Sequence, residues 1–163
     1  VAGFDVTGLN GHGSVRFSAE AVSRAAPSTV FALLEDGSRW SEWAGPFVPR
    51  SRWEVPGSPV GGVGAVRRLG IGPLASLERI VEHIPDRRLA YVVDSWAPYR
   101  DYRAQVDLVP TTAGGTSIVW QADFSPKVPG TGLVLRVGLQ SIVAGFARRL
   151  AAAADAADSR ARS

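Results

Sequence analysis

The segment from Ser14 to Val22 sets Val15, Phe17, Ala19 and Ala21 against Arg16, Ser18 and Glu20, the two-residue alternation of a half-buried strand. Pro27 suits the first turn of a helix, Val30, Phe31, Leu33 and Leu34 give that helix an apolar side, and Gly37 ends it. Trp40 and Trp43 stand three apart within Ser38 to Trp43, on one side of a second short helix that Gly45 and Pro46 close. From Val48 to Phe124, strand-like segments are broken at Pro56 to Pro59, Gly72-Pro73, Pro85-Asp86, Ala97-Pro98 and Pro110 to Gly115, a spacing that fits six strands in a meander. After Pro126 and Pro129, Thr131 is placed to cap a helix running to about Ala157, with Leu135, Leu139, Ile142, Phe146 and Leu150 as its apolar stripe. The expected fold is α+β: a curved antiparallel sheet of seven strands around a long C-terminal helix, with two short helices between the first and second strands. Residues 1–13 are expected to be a flexible lead, 14–157 a single ligand-binding domain, and 158–163 a polar, frayed tail.

Tight turns fix the pairing of the strands they join, so the meander can be laid out from its turn centres. The turn at Gly72-Pro73 sets Arg67 opposite Glu78 and Ala65 opposite Ile80. The next two turns set Glu78 opposite Val93, Ile80 opposite Tyr91, Val93 opposite Tyr102 and Tyr91 opposite Ala104. In the last hairpin the apolar pattern chooses the register, with Ala104, Val106 and Leu108 matched to Trp120, Ile118 and Thr116 and Tyr102 opposite Ala122. One sheet face then carries a mixed row (Arg67, Glu78, Val93, Tyr102, Ala122) and an apolar row (Ala65, Ile80, Tyr91, Ala104, Trp120). Burying unpaired charge is costly, so Arg67 and Glu78 are expected to pair across the strands, at the sheet rim or in a cavity. On the long helix Gly138, Ser141 and Gly145 lie beside Ile142 and Phe146, which reads as close packing on the sheet or as a void.

Composition narrows the function classes. The 163 residues fit one domain, and 45% apolar with 20% charged is ordinary globular usage. No apolar run approaches the roughly 18 residues of a membrane span, because Arg136, Arg148 and Arg149 interrupt the C-terminal stretch. No basic segment leads into an apolar run at the N-terminus, so the expected location is the cytoplasm. Methionine is missing even at position 1, which reads as a processed or trimmed chain, and the dominance of arginine over the single Lys127 hints at a GC-rich bacterial genome. The absence of cysteine removes thiolate chemistry and thiolate metal sites. A net charge of +3 with arginine pairs scattered along the chain argues for a solvated surface over a nucleic-acid footprint.

Three motifs fail as chemistry. Gly61, Gly62 and Gly64 lack a following Lys-Ser/Thr and lead into a strand, not a helix, so they are no phosphate loop. His12 and His83 are the only histidines and have no helical spacing for a metal site. No Gly-x-Ser-x-Gly elbow supports a triad through His83. Neither a cofactor nor a metal is expected.

An ordered set of pieces remains: Val22 to Leu34, Trp40-Ser-Glu-Trp43, Gly61-Gly-Val-Gly64 leading to Arg67, Glu78 through Pro85 to Tyr91, Gly115-Thr116 before Trp120, and the long C-terminal helix. With these, residues 14 to 157 resemble the polyketide cyclase/dehydrase and lipid-transport family of the START-like, birch-pollen-allergen-like superfamily. The resemblance implies a helix-grip fold with a cavity between sheet and helix, entered near the short helices, where Trp43, Phe47 and Trp53 would sit. Taken singly, each of those aromatics reads first as ordinary core. The resemblance implies a small hydrophobic or amphipathic ligand, a polyketide, lipid or isoprenoid, with Arg67, Glu78 and Tyr102 as the polar set carried over, while the sheet rows add Ile80, Tyr91, Val93 and Trp120 and the helix stripe Ser141, Ile142 and Phe146 as candidate ligand contacts. The alternative it carries is an aromatase or cyclase in which Glu78 or Tyr102 transfers protons and Arg67 holds an enolate. A homodimer is left open, and a partner- or RNA-binding module is the third class, resting on the arginine excess.

Overall fold

The computed structural model describes residues 13–163; the predicted flexible lead, apart from Gly13, and His12 lie outside the described residues. The strands are β1 (Val15–Ser23), β2 (Ser51–Val55), β3 (Val66–Leu69), β4 (Ser76–Ile84), β5 (Arg88–Val93), β6 (Tyr99–Pro110) and β7 (Thr116–Pro126). They form one antiparallel sheet in the order β1-β7-β6-β5-β4-β3-β2, a meander closed by the return of β7 to β1. Helix α1 (Pro27–Glu35) follows β1 with Pro27 in its first turn, as its fixed φ and missing N–H favour. The second short helix is a single 3-10 turn, Trp40–Glu42. Helix α2 (Gly132–Ala161) is the longest element and packs its apolar side on the sheet.

Burial follows the alternation read from the sequence. Phe17 and Ala19 of β1, Leu89 and Tyr91 of β5, Ala104, Val106 and Leu108 of β6, and Ile118, Trp120, Ala122 and Phe124 of β7 all turn into the core. On the other side they meet Val143, Ala147, Leu150, Ala151 and Ala154 of α2. Aromatic rings tie the layers together. Trp40 lies 4.6 Å from Trp43, 5.9 Å from Trp120 and 5.7 Å from Phe146, mostly edge to face.

The predicted pairings Arg67–Glu78, Glu78–Val93, Ile80–Tyr91 and Tyr91–Ala104 all form, whereas the β5–β6 ladder stops at Val92–Arg103, short of the predicted Val93–Tyr102 pair, and the β4–β5 register shifts after Ile80. The last hairpin departs from expectation by two residues. Ala104 faces Ala122, Val106 faces Trp120, Leu108 faces Ile118 and Pro110 faces Thr116. A two-residue slip keeps every side chain on its face, so the apolar pattern is satisfied equally by both registers and cannot choose between them. The turn chooses: Thr111 and Gly115 close it, with the Thr111 amide donating to the Gly115 carbonyl at 2.9 Å and Gly114 at φ 86°. Nearer the start of β6 the register shifts again between Arg100 and Arg103, and Asp101 takes φ 55°. This is a β-bulge that leaves Tyr102 outside the ladder, its predicted partner Ala122 having already gone to Ala104 through the slip.

Helix α2 corrects three expectations. Thr131 has helical backbone angles, and its hydroxyl donates to the Val128 carbonyl at 2.7 Å instead of capping. The helix runs through most of the predicted tail, where Arg162 reaches Asp158 at 2.7 Å across one turn. The glycines neither pack on the sheet nor make a void: a Cβ at Gly138 would meet open space, and one at Gly145 would strike the Arg149 guanidinium. That guanidinium also lies over Gly45, whose φ is 90°, so two glycines together make room for one arginine.

Candidate functional site

Between the concave sheet face and the middle of α2 lies a chamber of ≈ 170 Å³. Leu69, Ser76, Glu78, Tyr91, Val93, Tyr99 and Tyr102 line it from the sheet, Leu139, Ile142, Val143 and Phe146 from α2, and Phe47, Val48 and Leu74 from the loops at its mouth. A larger groove of ≈ 410 Å³ along β1, β6 and β7 is open and lined mainly by Arg16, Arg103, Arg136, Asp123 and three glutamines. Unlike that groove, the chamber combines apolar walls with converging buried polar groups, the usual make-up of a small-molecule site.

Of the residues singled out in the sequence, Phe47, Glu78, Tyr91, Val93, Tyr102, Ile142 and Phe146 meet at the chamber. Arg67, Ile80 and Trp120 are buried but are not among its lining. Trp43 is buried against Trp40, and Trp53 packs over Gly37, where an added Cβ would collide with its indole, and beside Gly61, where one would touch it. Ser141 departs from expectation. Each residue turns a helix by about 100°, and one step beyond Gln140 and before Ile142 leaves Ser141 on the exposed side of α2.

The polar end of the chamber is an ion pair built on the β3–β4 register. Arg67 is 0% exposed; its Nε donates to Glu78 Oε2 at 2.9 Å and its Nη1 donates to the Leu34 carbonyl at 3.2 Å. Nη2 is also 2.9 Å from Oε2, out of line for a hydrogen bond but in ionic contact. The guanidinium lies 4.0 Å from the Trp40 ring centre and 4.8 Å from that of Tyr91, so aromatic faces cover what the carboxylate does not. Trp40 shares the same acceptor, its indole N–H donating to Leu34 O at 3.0 Å. Both predicted settings of the pair are thereby decided: it is buried on the concave face, not set at a solvated rim.

Glu78 is the member of the pair that reaches the chamber. Its Oε2 is committed to Arg67, while Oε1 accepts from the Ser76 hydroxyl at 3.2 Å and keeps a lone pair for a further donor. All three tyrosines of the chain surround it. Burial, reinforced by the charge of Glu78, pushes the Tyr99 phenol up to about 12. Burial likewise drives Tyr91 and Tyr102 well above the ordinary phenol value. The phenols therefore stay protonated and able to donate at any ordinary pH.

Tyr99 was not singled out from the sequence, and the bulge explains why. Residues 99 and 102 are an odd number apart and would point to opposite faces of a regular strand. The extra residue between Arg100 and Arg103 brings both to the concave side, with ring centres 5.3 Å apart. Ser76, two residues before Glu78 on β4, shares its face and was legible by alternation alone.

Solved structures share this architecture. The chain is similar to StfQ, a di-domain aromatase/cyclase of the steffimycin biosynthetic pathway, with a TM-score of 0.73 and 17% identity over 92% of this chain and 53% of that one. A START superfamily protein from Mycobacterium smegmatis superposes with a TM-score of 0.70 at 12% identity, covering 87% of this chain and 97% of the other. A point mutant of norcoclaurine synthase from Thalictrum flavum, bound to a transition-state analogue, gives 0.69 at 12% identity, covering 86% and 94%. At such identities the likeness is one of fold. No curated protein matches the chain in sequence. The family model described as polyketide cyclase / dehydrase and lipid transport matches residues 14–155.

Proposed function

The chain belongs to the polyketide cyclase/dehydrase and lipid-transport family, and from that premise we propose that its chamber binds a small, hydroxylated aromatic or polyketide-like molecule. The observation that carries this reading is the meeting of one buried carboxylate and three protonated phenols inside apolar walls. Glu78 Oε1 accepts a hydrogen bond from a ligand hydroxyl, and a tyrosine donates to a ligand carbonyl or ring oxygen. Because Arg67 already balances the Glu78 charge, the site suits a neutral donor better than a cation.

A panel of small phenols, naphthols and a fluorescent fatty acid tests the reading by thermal shift and tyrosine fluorescence. A hydroxylated ring is expected to raise Tm, and Glu78→Gln to weaken its binding by roughly tenfold or more, the usual worth of a hydrogen bond to a charged group. No shift with any ligand, or equal binding by the variant, overturns it.

The convergence of Glu78 with Tyr99 and Tyr102 favours a second reading, an aldol cyclase. Glu78 would take the proton from a carbon alpha to a ketone while a phenol hydrogen-bonds the enolate oxygen. The carbanion closes on a second ketone, the new alkoxide regains the proton, and loss of water completes the ring. Arg67, sealed behind Glu78, positions the carboxylate without touching substrate. Conversion of a poly-ketone mimic, lost in Glu78→Gln, separates this reading from binding alone.

A further inference from the structure

Antiparallel connectivity brings the start of β2, β4 and β6 and the end of β3, β5 and β7 to the same edge of the molecule, where the chamber opens. The loops there are mutually tied: the Gly70 amide donates to Arg50 O at 2.8 Å and the Lys127 amide to Pro98 O at 3.1 Å. Helix α2 begins at this edge, since a Cβ on Gly132 would touch Val15 and Pro126. Each of these segments turns a large apolar side chain outward. Phe47 is 64% exposed, Leu74 84%, Trp96 75%, Leu133 70%, Val134 75% and Val137 61%.

Scattered apolar residues on a surface need no explanation, but these ring one opening. Apart from Arg136, the first turns of α2, Leu-Val-Leu-Arg-Val-Gly-Leu from 133 to 139, carry apolar residues on both the packed and the exposed sides. A helix that is apolar all round is normally covered on all sides. Charge at the same edge is mostly positive once its ion pairs are counted, with Asp123, in the open groove with Arg136, as the carboxylate that no ion pair among the described residues holds. Asp94 is held by Arg79 at 2.7 Å and Asp101 by Arg100 at 3.7 Å. Arg50, Lys127 and Arg136 have no ion-pair partner among the described residues, and Lys127 sits over the Trp96 ring at 5.8 Å.

The geometry points to the mouth of the chamber as a face that adsorbs to an anionic lipid surface, its apolar tips entering the headgroup layer and its unpaired cations meeting lipid phosphates. Apolar anchors flanked by Trp and by Lys or Arg are what an interface between water and hydrocarbon selects. Acidic lipid adds an attraction that salt screens. No helix of the described residues is long and apolar enough to cross a membrane, and the proposed contact is one of surface side chains. The inference does not depend on which ligand the chamber holds.

Flotation of the full chain with vesicles of phosphatidylcholine, with and without phosphatidylglycerol, tests it. The protein is expected to float with the acidic vesicles, less so as salt rises, while Trp96 emission shifts to the blue. The other tryptophans are buried or half-buried, so Trp96→Phe is expected to remove the shift without removing adsorption. The double variant Trp96→Asp/Val134→Asp touches only exposed side chains outside the chamber lining. It is expected to lower vesicle affinity at least about tenfold while keeping the wild-type melting curve. A wild-type chain that stays unbound with both vesicle types overturns the proposal. So does a double variant that binds as wild type, which would leave charge alone as the cause. Concentration-dependent dimerisation that the double variant abolishes, without vesicle binding, would assign the face to a second copy and likewise overturn it.

Discussion

Arg67 and Glu78 are withdrawn from water together, with side chains 0% and 9% exposed. An ion pair of this kind gains little over an apolar pair of the same shape, because desolvation consumes most of the attraction, yet losing one partner strands the other. Arg67→Met alone is therefore expected to cost about 3–5 kcal/mol by urea unfolding, since it leaves the Glu78 carboxylate facing only Ser76 and the tyrosines. The double variant Arg67→Met/Glu78→Leu is expected to recover most of that loss. If the double variant is as unstable as the single one, the pair is a net stabiliser and the argument from desolvation fails. The cost of keeping the pair makes sense if the carboxylate serves a ligand, which is what ties this residue-scale test to the proposed function.

At the scale of elements, the far end of the molecule is held by a clasp between β1 and α2. Asp155 Oδ1 accepts from the Ser23 hydroxyl at 2.6 Å and from the Arg24 amide at 2.8 Å, while Arg24 Nε stands 3.6 Å from Oδ2. Beside it the Thr116 hydroxyl at the start of β7 donates to Ala25 O at 2.8 Å. Partial burial pushes the Asp155 carboxyl up, but the Ser23 hydroxyl, the amides of Arg24 and Ala25 and the Arg24 charge outweigh it, so the group is held below its usual range. A depressed folded-state pKa stabilises the fold above the unfolded value, near 4, and the gain is lost as pH falls through the folded value. Asp155→Asn is expected to cost about 1 kcal/mol near neutral pH, with the gap to wild type closing toward pH 3; urea melts at both pH values measure it. A gap independent of pH would mean that the carboxylate charge contributes nothing. None of this was visible in the sequence, because residues 23 and 155 meet only when α2 has crossed the sheet.

At the scale of the whole molecule, the chamber is what the sheet's curvature and the tilt of α2 leave between them, and its size is a prediction about ligands. An apolar cavity of about 150 Å³ in a protein core admits benzene, and this one measures ≈ 170 Å³. One ring, or two small fused rings, should enter the closed form. Larger homologues are expected to bind only by displacing Phe47 and Leu74 at the mouth, with affinity falling as rings are added; calorimetry on phenol, naphthol and anthrol series measures the trend. Equal or rising affinity through three rings would show that the mouth opens freely.

The strands, their order in the meander, the inward faces and the Arg67–Glu78 pairing were legible in the sequence. Turn residues and two-residue alternation are local signals, and tight turns transmit register across neighbouring strands. Tertiary structure decided the rest. Apolar alternation is blind to a slip of two, so the β6–β7 register waited on the Thr111–Gly115 turn. A bulge is one extra residue with no sequence mark of its own, so Tyr99 joined Tyr102 in the chamber only through the backbone at Asp101. Which side of α2 faces the sheet, and hence that Ser141 is exposed and Gly145 serves Arg149, was set by packing between elements far apart in the chain. The pattern of side chains specifies faces and neighbours; the depth and contents of the space between sheet and helix exist only once both are in place.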